Sequence, residues 1–294
     1  VTEAAKSWYL LSRSFDYLGT TFFLGGMAFV AMLWPDGAST ARVRRLLGFG
    51  WLCGFAGSAA GLCFQAAWVA GRPPGEAFTL AVVGPVLDSE FGRLWVARVL
   101  LWVLGLVVLI DLARRGAPAA RSLAWRVGAL AVGLGVLRTN GMTGHAVDLP
   151  GWGQVAVFVH LLVVSLWIGG LAVLLLAVLP GRDRAVLAAV LPRYSKLAMV
   201  SVATLTAAGA LLAWRLVGSV DSLLHTGYGR ILLIKLAAFA VMLLAGLASK
   251  TWVDRRMKVA ADTRTLAISV TVETVLAVAV LGVAAFLVTT GPGR

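Results

Sequence analysis

His160 is the side chain best placed for metal chemistry. It lies about seven residues into an apolar run at 153–179, roughly 10 Å below the end of that run at helical rise. An ionisable ring at that depth in a membrane needs a reason to be there. Trp167 follows two turns later on the same helical face. The ring can ligate a metal, or it can be satisfied by a neighbouring hydroxyl or carbonyl. A second candidate is the sequence Met142-Thr143-Gly144-His145, where Gly141 and Gly144 allow the backbone to turn. Thioether sulfur favours cuprous copper, and imidazole accepts either oxidation state. Met142 and His145 therefore read either as an outer copper pair or as unrelated residues at a helix end. His225 lies in a connection between apolar runs, where an exposed histidine is the default.

Asp16 can give a carboxylate to a metal or pair with Arg13, three residues away on one helical face. Glu273, within the last apolar run, suits an exit ligand, a proton carrier or the partner of a buried cation. Cys53 and Cys63 stand about 15 Å apart at helical rise and cannot share one ion. Cys53 is kept as a pathway candidate, although small buried thiols most often pack. Arg13, Arg93, Arg98, Arg138, Arg215, Arg230 and Lys235 crowd the outer ends of several runs. Such a rim repels a metal cation and suits an anion. Lipid phosphates reached by snorkelling side chains, haem propionates, a quinone or an acidic protein all fit it. A second class of function follows: a membrane redox protein that binds a quinone or a b-type haem, with His160 as one axial ligand and His145, His225 or Met142 as the other. With three histidines in the chain, two bis-histidine haems are excluded.

The elements that must hold these residues are membrane helices. Of 294 residues, 60% are hydrophobic and 13% charged, with a mean hydropathy of +0.90. Soluble domains carry roughly a quarter charged residues, so a soluble enzyme is excluded. The formal charge of +13 fits loops at an anionic leaflet rather than nucleic acid. Runs long enough to cross about 30 Å of hydrocarbon fall at 8–34, 46–70, 94–110, 123–141, 153–179, 196–218, 231–250 and 266–290. The connection at 71–93, with Pro73, Pro74 and Pro85, is too short for a domain of its own. The expectation is one all-α membrane domain of eight transmembrane helices.

Arg13 and Asp16 interrupt the first run, which therefore reads as a retained helix rather than a cleaved leader. Basic residues cluster in alternate connections: Arg42, Arg44 and Arg45; Arg114, Arg115 and Arg121; Arg182, Arg184, Arg193 and Lys196; and Lys250, Arg255, Arg256, Lys258 and Arg264. These four are predicted to be cytoplasmic, which puts both termini outside. No GxxxxGK[ST] motif is present, so ATP does not drive any transport.

Short motifs repeat along the chain. Asp16 precedes Gly25-Gly26 as His160 precedes Gly169-Gly170, each 144 positions apart. Gly92-Arg93-Leu94 before Arg98 matches Gly229-Arg230-Ile231 before Lys235. The expectation is two parallel four-helix repeats, 1–141 and 142–294, with Asp16 and His160 pseudo-equivalent.

The segments GHAVDLPGW, VHLLVVSLWIGGLAVL, RYSKLAMVSVATLTAAGALLAW and TGYGRILLIKL, followed by an apolar helix containing Glu273, occur in that order over most of 140–290. Together they resemble the CopD family of bacterial inner-membrane copper proteins. Arg13, Gly25-Gly26 and GRLWVAR extend the likeness to the first half. The resemblance implies a plasma-membrane protein of copper uptake or resistance that receives copper from a CopC-type carrier outside. Its GH and H-x(6)-W-x-G-G patterns fall on Gly144-His145 and on His160, Trp167, Gly169 and Gly170. No His-rich or Met-rich tail is present, so the carrier is expected to be a separate chain.

Overall fold

Glycine spacing dictates how the first two helices meet. In the computed structural model, which describes residues 2–143, 151–181, 183–217, 219–227, 229–234, 236, 237, 239–241 and 244, α1 (Thr2–Met32) packs along α2 (Ala41–Val69). Gly50, Gly54, Gly57 and Gly61 recur along one face of α2. A Cβ on Gly57 would come within 2.4 Å of the Asp16 amide nitrogen, and one on Gly19 within 2.0 Å of the Gly54 nitrogen. Lipid tails are as apolar as leucine, so helices in a bilayer gain most where small residues let backbones touch. Thr40 starts α2 by accepting a hydrogen bond from the Val43 amide.

The connection at 71–93 is largely ordered. It forms a 3-10 turn at Pro74–Glu76 and a short helix, α3 (Leu80–Leu87), before Ser89 caps α4 (Glu90–Arg115). Two tryptophans of α4 fill the space that the α2 glycines leave, Trp102 beside Gly54 and Trp95 beside Gly61. The opposite face of α4 exposes Leu100, Val103, Leu104, Val107 and Ile110, as a lipid-facing surface requires. Gly116, at φ +61°, ends α4 in a conformation that glycine adopts at little cost. The chain then runs through α5 (Ala117–Arg121) into α6 (Leu123–Gly141), which shares both bounds with the fourth expected run.

Next come α7 (Gly151–Val173), extended by a π-helical turn at Leu174–Val178 and a 3-10 turn at Leu179–Gly181, α8 (Arg184–Val217) and α9 (Val220–His225). Arg193 and Lys196, expected in a loop, lie within α8. Among the described residues the fold is all helix. Among the described residues five stretches are long and apolar enough to cross a membrane: Glu3–Met32, Ala41–Val69, Glu90–Arg115, Gly151–Gly181 and Ala185–Trp214. The chain is a multi-pass membrane protein. The run at 231–250 is described in part. The run at 266–290, with Glu273, lies outside the described residues, as do His145 and Lys235.

The core is centred where α1 crosses α7. A Cβ on Gly25 would meet the Ser165 carbonyl at 2.0 Å, and one on Gly169 the Thr21 carbonyl at 2.3 Å. Beside them the Cβ position of Gly26 lies 3.6 Å from Val173, and that of Gly170 lies 3.5 Å from Phe29. Within each of these two sets, shifting one contact by 144 positions and exchanging its members produces the other.

Candidate functional site

Four helices deliver polar side chains to one buried point. Arg13 and Asp16 of α1 and Arg98 of α4 have no exposure at all. Asp16 Oδ2 accepts a hydrogen bond from Arg98 Nη1 at 3.0 Å. Its Oδ1 accepts from Ser58 of α2 at 3.0 Å and from Thr20 at 3.5 Å. Arg98 donates onward to the hydroxyl and carbonyl of Thr139 and to the Thr143 hydroxyl. Arg13 donates to the Tyr17 hydroxyl, to Thr143 Oγ1 at 2.8 Å and to the Thr143 carbonyl at 3.3 Å. The Trp95 ring lies 4.4 Å from the Arg98 guanidinium carbon and 5.7 Å from that of Arg13, within cation–π range.

Asp16 therefore pairs with Arg98, and Arg13, the neighbour offered by helical spacing, turns to Thr143 and Tyr17. Of the cations expected at an outer rim, Arg13 and Arg98 are interior, whereas Arg93, Arg138 and Arg230 are exposed. Snorkelling to lipid phosphate is open only to the exposed group. Two guanidiniums face one carboxylate in this cluster, and the end of α6 helps to offset the surplus. A helix C-terminus carries free carbonyls and the negative end of the macrodipole, and here the Thr139 and Thr143 carbonyls accept from the arginines.

His160 stands half-buried on α7 with its ring toward α8. Its Cε1 lies 3.8 Å from where a Cβ on Gly209 would be. The end of α6 reaches the same level, since the Cβ position of Gly141 is 3.4 Å from Val157 and 4.0 Å from Leu161, which bracket His160 along α7. Met142, the half-buried C-cap of α6, is carried to that level too. Trp167 is buried two turns further on. Its carbonyl accepts from the Tyr194 hydroxyl at 2.7 Å, and its ring meets Phe239 edge-on with centroids 6.2 Å apart.

The other candidates lie apart. Cys53 is buried and Cys63 half-buried, both on α2 as free thiols. His225 is exposed on α9 and paired with Asp221 at 3.0 Å. Among the described residues no three His, Cys, Asp or Glu side chains gather closely enough to hold a metal ion. Sequence reasoning missed Tyr17, Ser58 and Thr139 as members of the ion cluster. The available signal was a hydroxyl within each apolar run, which in lipid needs a partner as a charge does.

Residues 4–156 match the family model for the copper resistance protein D-like N-terminal domain, and residues 188–287 match that for copper resistance protein D. The chain is 29% identical over 251 residues to copper transport protein CutJ of Bacillus subtilis (strain 168), an alignment covering 80% of this chain and 44% of that protein. The chain thus spans less than half the length of that curated relative. No solved structure matches it.

Proposed function

Since the chain belongs to the copper resistance protein D family, we propose that it transports copper across the bacterial plasma membrane, receiving the ion from a CopC-type carrier on the outer side. One observation carries the reading: the end of α6 that bears Met142 packs onto the turn of α7 that bears His160. A thioether and an imidazole are then held by adjacent elements at one depth, a donor pair suited to copper. His145, three residues beyond Met142, joins them as the third donor in this reading, and Trp167 lines the path below. Asp16 is assigned to the ion cluster rather than to copper, because both its oxygens already accept hydrogen bonds.

The transporter is built in this proposal from two halves, 1–141 and 142–294, related by a pseudo-two-fold axis along the membrane normal, with eight spans and both termini outside. The reciprocal contacts between α1 and α7 support the axis, since a two-fold makes residue i touch j wherever j's counterpart touches i's. The level of the α6 end supports parallel halves. It touches α1 between Arg13 and Thr20 and α7 between Val157 and Leu161, and a shift of 144 positions brings 157–161 onto 13–17. Arg42, Arg44 and Arg45 at the start of α2 and Arg114 and Arg115 at the end of α4 support a cytoplasmic assignment for that side.

The test is a Cu(I) titration of the purified chain in detergent, paired with copper accumulation in cells. His160→Ala and His145→Ala are each expected to weaken binding and to reduce accumulation. Parent-like behaviour of both variants in both measurements would remove these histidines from the path.

A further inference from the structure

We propose that Arg13, Arg98 and Asp16 are positioning residues for a copper donor: they clamp the end of α6 through Thr143 and so set where Met142 stands. The inference rests on the reading of Met142 as a donor given above. A helix end normally frays, because its last carbonyls lack intrahelical partners. The end of α6 is held instead by a saturated hydroxyl. A threonine hydroxyl has two acceptor positions and one donor. Thr143 Oγ1 accepts from Arg13 Nη1 at 2.8 Å and from Arg98 Nη2 at 2.9 Å, and donates to the Asn140 carbonyl at 3.1 Å. Its hydrogen-bonding capacity is filled.

Each clamp arm is itself fixed from another helix. Asp16 of α1 holds Arg98 of α4, and Asp16 is held by Ser58 of α2. Arg13 is held by Tyr17. The adjoining Asn140 is tied to Thr20 of α1 at 3.3 Å. Two helices, α1 and α4, thus converge on one residue at the tip of α6 while α2 braces the carboxylate between them, and Met142 is the immediate neighbour of that residue, with its amide bonded to the Arg138 carbonyl. Methionine has three rotatable bonds, so its backbone must be placed well for its sulfur to be a reproducible ligand. A salt-bridged cluster with no exposure is a large investment for a helix end that only had to pack.

The experiment is a double-mutant cycle on the full chain in detergent, read by Cu(I) competition against a chromophoric chelator and by the unfolding midpoint of the metal-free protein. Thr143→Val removes the shared acceptor at nearly constant shape and is expected to weaken Cu(I) binding about tenfold, as loss of a ligand-orienting contact does. Thr143→Ser keeps the hydroxyl and should bind like the parent. In a Met142→Leu background the loss from Thr143→Val should vanish, because a residue acting through Met142 has nothing left to act on. Should Thr143→Val fail to fold, Tyr17→Phe loosens Arg13 more gently and should show the same dependence on Met142 with a smaller loss. A loss that persists undiminished in the Met142→Leu background, or no loss with either clamp variant while Met142→Leu itself binds weakly, overturns the positioning role. Parent-like binding by Met142→Leu overturns the donor reading, and this inference with it.

Discussion

Asp16 on α1 and His160 on α7 each stand nine residues before a Gly-Gly pair, 144 positions apart, yet their surroundings differ in kind. Asp16 is fully buried and both its oxygens are engaged. A Cβ on Gly57 of α2 would come within 2.4 Å of the Asp16 amide nitrogen. His160 is half-buried, and a Cβ on Gly209 of α8 would be at ordinary contact distance from its ring. One place uses charge to hold four helices together, and the other sets an imidazole, the copper donor of the proposal above, beside a small residue. Two ionisable residues ahead of the same Gly-Gly motif thus differ in setting, the first fixed within the scaffold and the second, in the proposal above, facing the copper path.

The largest effect is expected on removing Asp16. In Asp16→Ala the Arg98 guanidinium loses its counter-ion while remaining buried beside Arg13, and loss of one member of such a pair costs about 3–5 kcal/mol. Little folded protein is expected, measured as yield of monodisperse chain in detergent and as unfolding midpoint. Replacing both partners, in Asp16→Leu with Arg98→Leu, should recover part of that loss, since no unpaired charge of the pair is left behind. A double variant as unstable as the single one would show that the hydrogen bonds to α6, and not the ion pair, hold the cluster.

A smaller effect tests whether the halves are matched at all. Gly25→Ala and Gly169→Ala each force a methyl into backbone of the opposing helix, at 2.0 and 2.3 Å, and overpacking of this kind costs roughly 1–3 kcal/mol. Matched contacts predict matched losses. Gly48→Ala is the control, because nothing lies within 4 Å of its Cβ position, and its unfolding midpoint should be unchanged or slightly raised. Unequal losses at Gly25 and Gly169 would weaken the two-fold relation.

The membrane class and helix positions were legible because hydropathy over about 20 residues is a local property. The described helices follow the first six apolar runs, and the bounds of α6 coincide with the fourth. Alternation of basic residues and the paired glycine motifs were legible for the same reason. Partner choice was not. Arg13 stands one turn from Asp16, yet the carboxylate goes to Arg98, 82 positions away, because helical spacing says which residues can touch along one helix and nothing about which helix arrives beside it. Burial of Arg13 and Arg98 was hidden likewise: an arginine near a helix end reads as an interfacial cation until a neighbouring helix end supplies carbonyls for it. The placement of Met142 beside the His160 turn also needed the fold, since it depends on Gly141 meeting Val157 and Leu161 across two helices.

Removal of His160 should change stability far less than removal of Asp16. A half-buried ring beside glycine fills little space that the bundle needs, so the unfolding midpoint of the metal-free protein should move by the equivalent of about 1 kcal/mol or less. Copper binding should fall even so, which makes His160 the converse of Asp16: one variant keeps the fold and loses the cargo, whereas the other loses the fold. Both quantities come from one preparation, by thermal unfolding without metal and by Cu(I) titration. A destabilisation of His160→Ala comparable to that of Asp16→Ala, with copper affinity retained in the folded fraction, would mean that His160 is structural as well, and that the donors for copper lie elsewhere.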